Sequence, residues 1–471
     1  YTTAHTLSLH DALPILCFQN QLLSQLKKQE VKFKLFLMIK LFTVIKDIFS
    51  IQELRDRILN TIFFLIIFRL GSFVVLPGID PSKLQTDASG IFGLLDTFLG
   101  GAFSNASIFA LGIMPYISAS IVVQLLGVTM PYFQKLQKDG DSGRKKLNQI
   151  TRYLTIALTS FQSIAYLSAT IPPEAILVSN KLFFTISSVI ILVSGTIFCM
   201  WLGEKITDKG IGNGISMLIM IGIISRFPGS LVAEALSKGM SQALLFIVEI
   251  AVLFGVVMFT VMVVKAIRRI PVQYAKQVIG GNLYRGKRQY IPVRVNSSGV
   301  MPIIFAQALM FLPAIIGLQF AENSDFFQYI ATSFSNMQSW PYNLTFAFLI
   351  ILFTFFYTAI TINPNQMADD MKRNNGFIPG IKPGKETSDF ISGVLDRVTL
   401  PGSLLLAIIA VLPAFAMIFG VSQSFSTFYG GTSLLIMVGV ILDTLQQIES
   451  YLLMRSYDGM MKSGKVKGRS I

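Results

Sequence analysis

Histidine and cysteine are almost absent from this chain of 471 residues. The two histidines are His5 and His10, so no histidine-based catalytic triad, proton relay or metal site is possible in the rest of the chain. The two cysteines are Cys17 and Cys199, and Cys199 lies inside an apolar run, which excludes a disulfide framework. We therefore expect no catalytic residue, no metal and no cofactor, and we expect that the protein is not an enzyme.

Charge is the second scarcity. Charged residues make up 14% of the chain and hydrophobic residues 52%, whereas ordinary soluble domains carry about 25% charged residues. The mean hydropathy is +0.62. These values exclude an ordinary soluble protein and indicate a polytopic membrane protein.

Apolar stretches of about 20 residues, the length that spans a bilayer, predict ten transmembrane helices and an all-α fold. Their approximate limits are 56–76, 106–128, 152–171, 182–203, 212–227, 242–266, 298–320, 343–362, 399–419 and 432–454. A further apolar segment, 91–103, is too short to cross. The ten spans divide into two halves of five, which an inverted repeat would relate.

Charges inside the spans are scarcer still. Only Arg69 and Glu249 lie well inside predicted spans; Arg69 is placed to extend toward the outer interface, and Glu249 to pair with another helix. A proton-coupled transporter would show more carboxylates facing a cavity.

A match to the phosphate-binding loop pattern at 459–466 has Val466 where a Ser or Thr is needed, and no strand precedes it, which argues against nucleotide hydrolysis.

Basic residues are distributed unevenly and account for most of the net charge of +14. They concentrate after spans 2, 6 and 8 and in the C-terminal tail. The alternate connections carry only Lys83, Lys181, Arg226 and Lys238. By the positive-inside rule, we expect both termini and the basic loops to be cytoplasmic.

Two of the basic loops are long enough to hold a partner. Residues 268–296 contain no acid and alternate β-branched or aromatic residues around a Gly-Gly pair, which predicts a protruding hairpin. Residues 363–398 are punctuated by Gly and Pro. Such loops suit RNA phosphates or an acidic protein, although topology alone also explains their charge.

Two pairs of isoleucines share a helical spacing. Ile113 and Ile117 are four residues apart, as are Ile215 and Ile219, so each pair lies on one helix face. Spacing alone is typical of any lipid-facing or core helix. Pro115, between the first pair, is expected to weaken the backbone ladder inside its span. A flexible joint is predicted just before it, at Gly100, Gly101, Ser104 and Asn105.

Six long segments resemble the bacterial SecY family, the large subunits of a protein-conducting channel. They are "ASIFALGIMPYISASIVVQLL", "KDGDSGRKKLNQITRY", "MWLGEKITDKGIGNGIS", "RRIPVQYAK", "GFIPGIKPG" and "YGGTSLLIMVGVILD". The resemblance runs from about residue 45 to the C-terminus. It implies two inverted five-helix halves, 38–240 and 241–455, around a central hourglass pore, followed by a cytoplasmic tail at 456–471. We expect residues 1–37, which lie outside the resemblance, to be an addition from cloning or sequence assembly, with Met38 as a natural start.

The resemblance also implies how such a channel is closed. Residues 91–104 would form a plug on the outer side of the pore, with Phe92, Leu94, Leu95, Phe98, Gly100 and Gly101 as its members. Six residues would form the pore constriction, and all are isoleucine here: Ile113, Ile117, Ile215, Ile219, Ile304 and Ile436. A ring of branched apolar side chains binds no ion and dewets when empty, yet it can close around a threading polypeptide of any sequence.

A lateral gate and docking sites follow from the same resemblance. Ser118, Gln162 and Asn296 match the polar cluster of a seam that opens to membrane lipids. Arg268, Arg269 and Lys382 match partner-binding positions, with lysine at 382 where most members have arginine, so the bidentate fork is lost. The implied partners are the SecE and SecG subunits, the SecA motor, the ribosome, and secretory and membrane polypeptides, with no small-molecule substrate.

The expected function is translocation of unfolded secretory polypeptides across the bacterial cytoplasmic membrane and lateral release of transmembrane segments. The alternative is an inverted-repeat secondary transporter, which would need a polar or charged site at the midplane. A scaffold for a membrane complex, with no conduit, is a second alternative.

Overall fold

The computed structural model describes residues 48–84, 96, 99–239, 242–274, 277–279, 282–284, 288–320, 325–336 and 338–462. The N-terminal extension and most of the C-terminal tail therefore lie outside the described residues. By their contacts, residues 61–445 form one compact unit, and the described residues of 1–60 and 446–471 form another.

Fourteen α-helices account for most of the described chain. They are α1 (Gln52–Gly71), α2 (Met114–Thr129), α3 (Pro131–Lys138), α4 (Gly140–Thr170), α5 (Lys181–Lys209), α6 (Gly214–Lys238), α7 (Ala243–Lys265), α8 (Met301–Phe320), α9 (Asp325–Ser335), α10 (Trp340–Thr361), α11 (Pro364–Arg373), α12 (Lys385–Ile418), α13 (Gln423–Ser426) and α14 (Gly431–Lys462). The five strands are β1 (Ile267–Tyr274), β2 (Gln277–Ile279), β3 (Asn282–Tyr284), β4 (Arg288–Arg294) and β5 (Gly376–Phe377).

Six of the described helical segments are long and apolar enough to cross a membrane, and a bent pair, α2 and α3, raises the number to seven. The two helices of that pair meet at 99°, where Pro131 begins the second. The exposed faces of these helices carry many large apolar side chains, as expected for surfaces that lie in lipid. The protein is thus a multi-pass membrane protein.

Several predicted span limits differ from the observed helices, and two of these differences bear on the site. The helix predicted at 212–227 continues to Lys238, because Pro228 is accommodated inside it. The helix predicted from residue 106 begins only at Met114, so Pro115 occupies its first turn. The first-turn amides have no partner within a helix, so proline there starts the helix instead of breaking it.

The core of residues 61–445 contains two large apolar clusters. One joins α1, α2, α5, α6, α7, α8, α10, α12 and α14. The other joins the segment before α2 to α4 and α5. Helices α2, α4 and α5 pack in sequence, as do α8, α10 and α12.

The predicted hairpin at 268–296 is confirmed, since β1 pairs antiparallel with β4 from Ile267↔Arg294 to Gln273↔Arg288. An unexpected partner completes the sheet: β5, from the second basic loop, pairs with the other edge of β1. A small apolar core that includes Ile270, Met371 and Ile391 lies beneath it. The two loops therefore form one structural unit.

Candidate functional site

The six isoleucines of the expected constriction all belong to, or pack against, one apolar cluster. Ile113, Ile117, Ile219 and Ile436 are between 3% and 7% exposed. Ile215 and Ile304 are half-buried and pack against the same cluster. Four helices, α2, α6, α8 and α14, thus contribute isoleucines to one interior region.

Local sequence signals position the isoleucines of α2 and α6. Ile113 occupies the N-cap position of α2 without a side-chain hydrogen bond, Pro115 lies in the first turn, and Ile117 follows Ile113 by one turn. On α6, the Asn213 side chain caps the helix by accepting hydrogen bonds from Ile215 N at 3.1 Å and Ser216 N at 3.4 Å. Such caps fix where a helix begins, and hence which face carries Ile215.

Gly203 on α5 is a positioning residue that sequence reasoning missed. A Cβ atom at this glycine would lie 3.1 Å from Ile215 Cγ1 and 3.5 Å from Ile113 Cδ1. Glycine therefore lets α5 approach both isoleucines at once. The signal was present in "MWLGEKITDKGIGNGIS", where Gly203 is the single small residue of an otherwise bulky helix end.

The described part of the expected plug, residues 96 and 99–104, is here called the plug segment. Leu99, Ala102 and Phe103 are buried in the second apolar cluster. The other expected plug residues, Phe92, Leu94, Leu95 and Phe98, lie outside the described residues.

Gly100 and Gly101 bring the plug segment against α6. Both have positive φ, +62° and +95°, a region that favours glycine. A Cβ at Gly100 would lie 2.7 Å from Ser225 Oγ, and one at Gly101 would lie 2.9 Å from an Arg226 amino nitrogen. The predicted flexible joint is thus a close-packed contact.

Asp96 and Arg226 form an ion pair that fastens the plug segment to α6. The Asp96 side chain is 9% exposed and that of Arg226 39%. The same carboxylate accepts a hydrogen bond from Ser104 N at 2.9 Å, and the Asp96 carbonyl accepts one from Gly101 N at 3.0 Å. Asp96 therefore organises the segment and also anchors it.

Two further contacts hold the backbone of the plug segment. Arg69 Nη1 on α1 donates to Gly100 O at 3.0 Å, so this arginine binds the segment as well as lying over the Phe73 ring. Tyr166 Oη on α4 donates to Phe103 O at 2.7 Å. Sequence reasoning missed Asp96, Arg226 and Tyr166; the available signal was an arginine inside α6, hidden by the boundary placed at residue 227.

The three residues of the expected lateral gate have separate surroundings. Ser118 Oγ on α2 donates to Met114 O of its own helix at 3.2 Å, and Gln162 on α4 is exposed. Asn296, before α8, is buried and accepts from Ser298 Oγ at 3.4 Å. In the described chain none of the three hydrogen-bonds another, so their joint role stays a prediction.

The expected partner-binding residues lie on the sheet of β4, β1 and β5 and beside it. Arg268 and Arg269 are exposed on β1, opposite Val293 and Pro292 of β4. Lys382 is exposed and its ammonium lies 3.7 Å from the Glu386 carboxylate. An exposed pair of this kind is worth at most about 1 kcal/mol, so it leaves Lys382 available to a partner.

Comparisons with a family model and with known proteins all point to one family. A model of the SecY family matches residues 107–445. Protein translocase subunit SecY of Streptomyces lividans is 42% identical over 443 residues, covering 90% of this chain and all of the relative (100%). Protein translocase subunit SecY of Chlamydia trachomatis is 40% identical over 454 residues, covering 90% of this chain and 99% of the relative.

Solved structures share the fold. A protein-conducting channel matches with a TM-score of 0.61 at 17% identity, over 84% of this chain and 92% of that one. Sec61 from a canine ribosome–channel complex of the endoplasmic reticulum matches with a TM-score of 0.58 at 16% identity, over 84% and 92%. Together, the family model and the relatives establish that this chain belongs to the SecY family.

Proposed function

We propose that this chain is a protein-conducting channel that passes unfolded secretory polypeptides across the cytoplasmic membrane of a bacterium and releases transmembrane segments sideways into lipid. The observation that carries the proposal is the gathering of six isoleucines from four helices in one interior cluster. Membership of the SecY family favours this function over the secondary-transporter alternative.

The isoleucine cluster is proposed to be the constriction of the pore. Branched apolar side chains offer no ligand to an ion and do not hold a water column when the passage is empty. An extended polypeptide makes van der Waals contact with them regardless of its sequence. The cluster would thus act as a seal that is indifferent to the identity of its substrate.

The plug segment is proposed to be the second barrier. It would close the outer side of the passage at rest and leave its site on α6 when a polypeptide enters. The contacts that favour the closed position are the Asp96–Arg226 pair, the hydrogen bond from Arg69 to Gly100, and the hydrogen bond from Tyr166 to Phe103.

Lateral release is proposed to use a seam that includes Ser118, Gln162 and Asn296. Polar contacts between membrane helices contribute about 0.6 to 2 kcal/mol each, so a seam of this kind yields to an apolar segment that prefers lipid. Each leucine or isoleucine of such a segment contributes roughly −0.3 to −0.6 kcal/mol near the membrane centre. We propose no covalent chemistry for the channel itself.

The basic sheet is proposed to dock the machinery that delivers the substrate. Arg268, Arg269 and Lys382 would bind the ribosome or the SecA motor, and SecE and SecG would complete the membrane complex. Support comes from the exposure of all three side chains and from the Sec61 match, which was seen in a ribosome–channel complex. This arrangement requires the basic loops and both termini to be cytoplasmic.

Site-specific crosslinking tests the proposal. A photoreactive amino acid is placed at Ile117 and, as a matched control, at Ile247 on α7, which is 62% exposed on the apolar surface. With a secretory chain stalled during translocation, Ile117 is expected to crosslink to the chain and Ile247 to lipid. Equal crosslinking from both positions, or from neither, would contradict the proposed passage.

A further inference from the structure

Helix α9 carries two large aromatic side chains that are mostly exposed. Phe326 is 65% exposed and Tyr329 60%, and their spacing of three residues places them on one side of the helix. Gln328 and Thr332, four residues apart, are exposed on another side. The helix therefore presents an aromatic side and a polar side to its surroundings.

A third side of α9 faces the protein. Ser333 is buried, and Phe334 packs against the first apolar cluster. The helix contacts both α8 and α10. Since α9 is fixed to the body of the protein in this way, its exposed aromatic side is part of the outer surface of the molecule.

The order of the elements places α9 at the membrane face opposite the sheet. Helix α10 belongs to a segment long and apolar enough to cross a membrane. Helix α9 precedes α10, whereas β5, which follows α10 and α11, pairs with β1 of the sheet. One crossing of the membrane therefore separates α9 from the sheet.

The lipid-facing surface of α10 begins beside α9. Five exposed large apolar side chains of α10 follow one another at intervals of three or four residues, so they form one stripe along the helix. They are Trp340, Leu344, Phe348, Leu352 and Phe355. Trp340 is 75% exposed and lies at the end that follows α9. Tryptophan and tyrosine are typical of the membrane–water interface, so α9 is attached where the stripe reaches that interface.

A hydrogen-bonded turn fixes α9 relative to Trp340. Asn336 Oδ1 accepts a hydrogen bond from Gln338 N at 2.9 Å, and Asn336 O accepts one from Ser339 N at 3.1 Å. Ser339 O accepts from Asn343 N at 3.1 Å and from Asn343 Nδ2 at 3.0 Å. The depth of Trp340 in the membrane therefore sets the depth of α9.

Basic residues do not attach α9 to a membrane surface. Residues 321–339, which connect α8 to α10, contain Glu322 and Asp325 but no lysine or arginine. Many helices that lie on membranes use basic residues to bind anionic headgroups, and that attraction is excluded here. An aromatic ring supplies apolar area instead, and the tyrosine hydroxyl can stay in contact with water. Attachment of α9 to lipid thus depends on Phe326 and Tyr329.

We propose that α9 is an interfacial anchor, a helix that lies in the membrane–water interface with Phe326 and Tyr329 in phospholipid and with Gln328 and Thr332 in water. The anchor holds the ends of α8 and α10 that are opposite the sheet at one depth in the membrane. It requires only that α10 crosses the membrane, so it does not depend on the proposed channel.

Spin labels on single cysteines measure the surroundings of each side of α9, in the full complex within lipid nanodiscs. Phe326→Cys and Tyr329→Cys place a label on the aromatic side, and Gln328→Cys is the matched control on the polar side. Cys17→Ser removes one native thiol, and Cys199 is 0% exposed, so it escapes labelling. Labels at 326 and 329 are expected to collide more often with oxygen, which concentrates in lipid. The label at 328 is expected to collide more often with a water-soluble nickel chelate.

Three results would overturn the anchor. Nickel access at residues 326 and 329 equal to that at residue 328 would place the aromatic side in water. Little access of either reagent at 326 and 329 would mean that a protein chain, and not lipid, covers that side. Oxygen access that is lost when anionic phospholipid is replaced by a zwitterionic one would mean that charge, and not the aromatic pair, attaches the helix.

Photolabelling of the unaltered complex provides a test that needs no variant to fold. The nanodiscs then contain a phospholipid with a photoreactive group close to its headgroup, and mass spectrometry locates the labelled residues. Label is expected on Phe326 and Tyr329 as well as on Trp340. Label on Trp340 without any on α9 would overturn the proposal.

Discussion

The isoleucine cluster and the plug segment are proposed to close the same passage with different chemistry. The cluster consists of aliphatic side chains from four helices, with no polar group among the six. The plug segment combines apolar contacts of Leu99, Ala102 and Phe103 with an ion pair and with hydrogen bonds to its backbone from Arg69 and Tyr166. Dispersion contacts have no preferred direction, whereas charged hydrogen bonds are directional and are either made or broken.

In the proposed function, this difference would give the isoleucine cluster and the plug segment different roles. A seal that must fit around every substrate benefits from contacts without sequence preference. A plug that must leave and return benefits from contacts that define one closed position. The predictions below test whether the two regions differ in this way.

The largest effect is expected from Arg226→Ala, which leaves the Asp96 carboxylate buried without its cation. Removing one partner of a buried charged pair costs several kcal/mol when both are fully buried; because Arg226 is partly exposed, we expect about 2 kcal/mol. The plug segment should then leave its site, and ion conductance of the purified channel in planar bilayers should rise.

The double variant Asp96→Asn with Arg226→Ala is the control for that experiment. It removes both charges, so it should conduct less than Arg226→Ala alone. Equal conductance in the two variants would show that the ion pair does not hold the plug segment.

A smaller effect is expected from Ile113→Asn in the isoleucine cluster. The buried side-chain amide has no hydrogen-bond partner among the isoleucines, which costs about 1 to 3 kcal/mol. It also provides a group to which water can hydrogen-bond inside the constriction. Bilayer recordings should show ion leakage in this variant, whereas Ile113→Val, which removes one methyl group, should remain tight. Ion leakage in Ile113→Val without leakage in Ile113→Asn would contradict a seal that depends on apolar side chains.

The smallest effect is expected from Gly203→Ala. The new methyl group would lie 3.1 Å from Ile215 Cγ1 and 3.5 Å from Ile113 Cδ1, so the neighbours must shift by tenths of an ångström, at a cost of about 1 kcal/mol. Alanine inside a helix also gains about 0.5 to 1 kcal/mol over glycine, so the effect is read against a matched control. Gly255→Ala on α7, where nothing lies within 4 Å of the added Cβ, should raise the melting temperature slightly. Gly203→Ala should melt below Gly255→Ala.

Features written in local sequence could be predicted. The alternating residues around the Gly-Gly pair predicted the hairpin of β1 and β4. The long apolar runs predicted that the chain spans a membrane. Glu249 was expected to pair with another helix, and it does, through Lys238 on α6. The expected weakening of the helix by Pro115 was wrong, because the effect of a proline depends on where the helix begins, and composition does not specify that position.

Features that depend on distant parts of the chain could not be predicted. Asp96 and Arg226 are 130 positions apart, and no local pattern marks them as partners. The pairing of β5 with β1 involves two residues of a loop that shows no strand periodicity. The role of Gly203 is visible only once α5 is placed beside both isoleucines. Tertiary contact decides each of these cases.

The central claim is tested most directly by cryo-electron microscopy of the channel complex with a secretory chain stalled in transit. The account predicts density for an extended polypeptide that passes between α2, α6, α8 and α14, in contact with Ile117, Ile219 and Ile436. Polypeptide density that runs elsewhere, with the isoleucine cluster still closed on itself, would contradict the account.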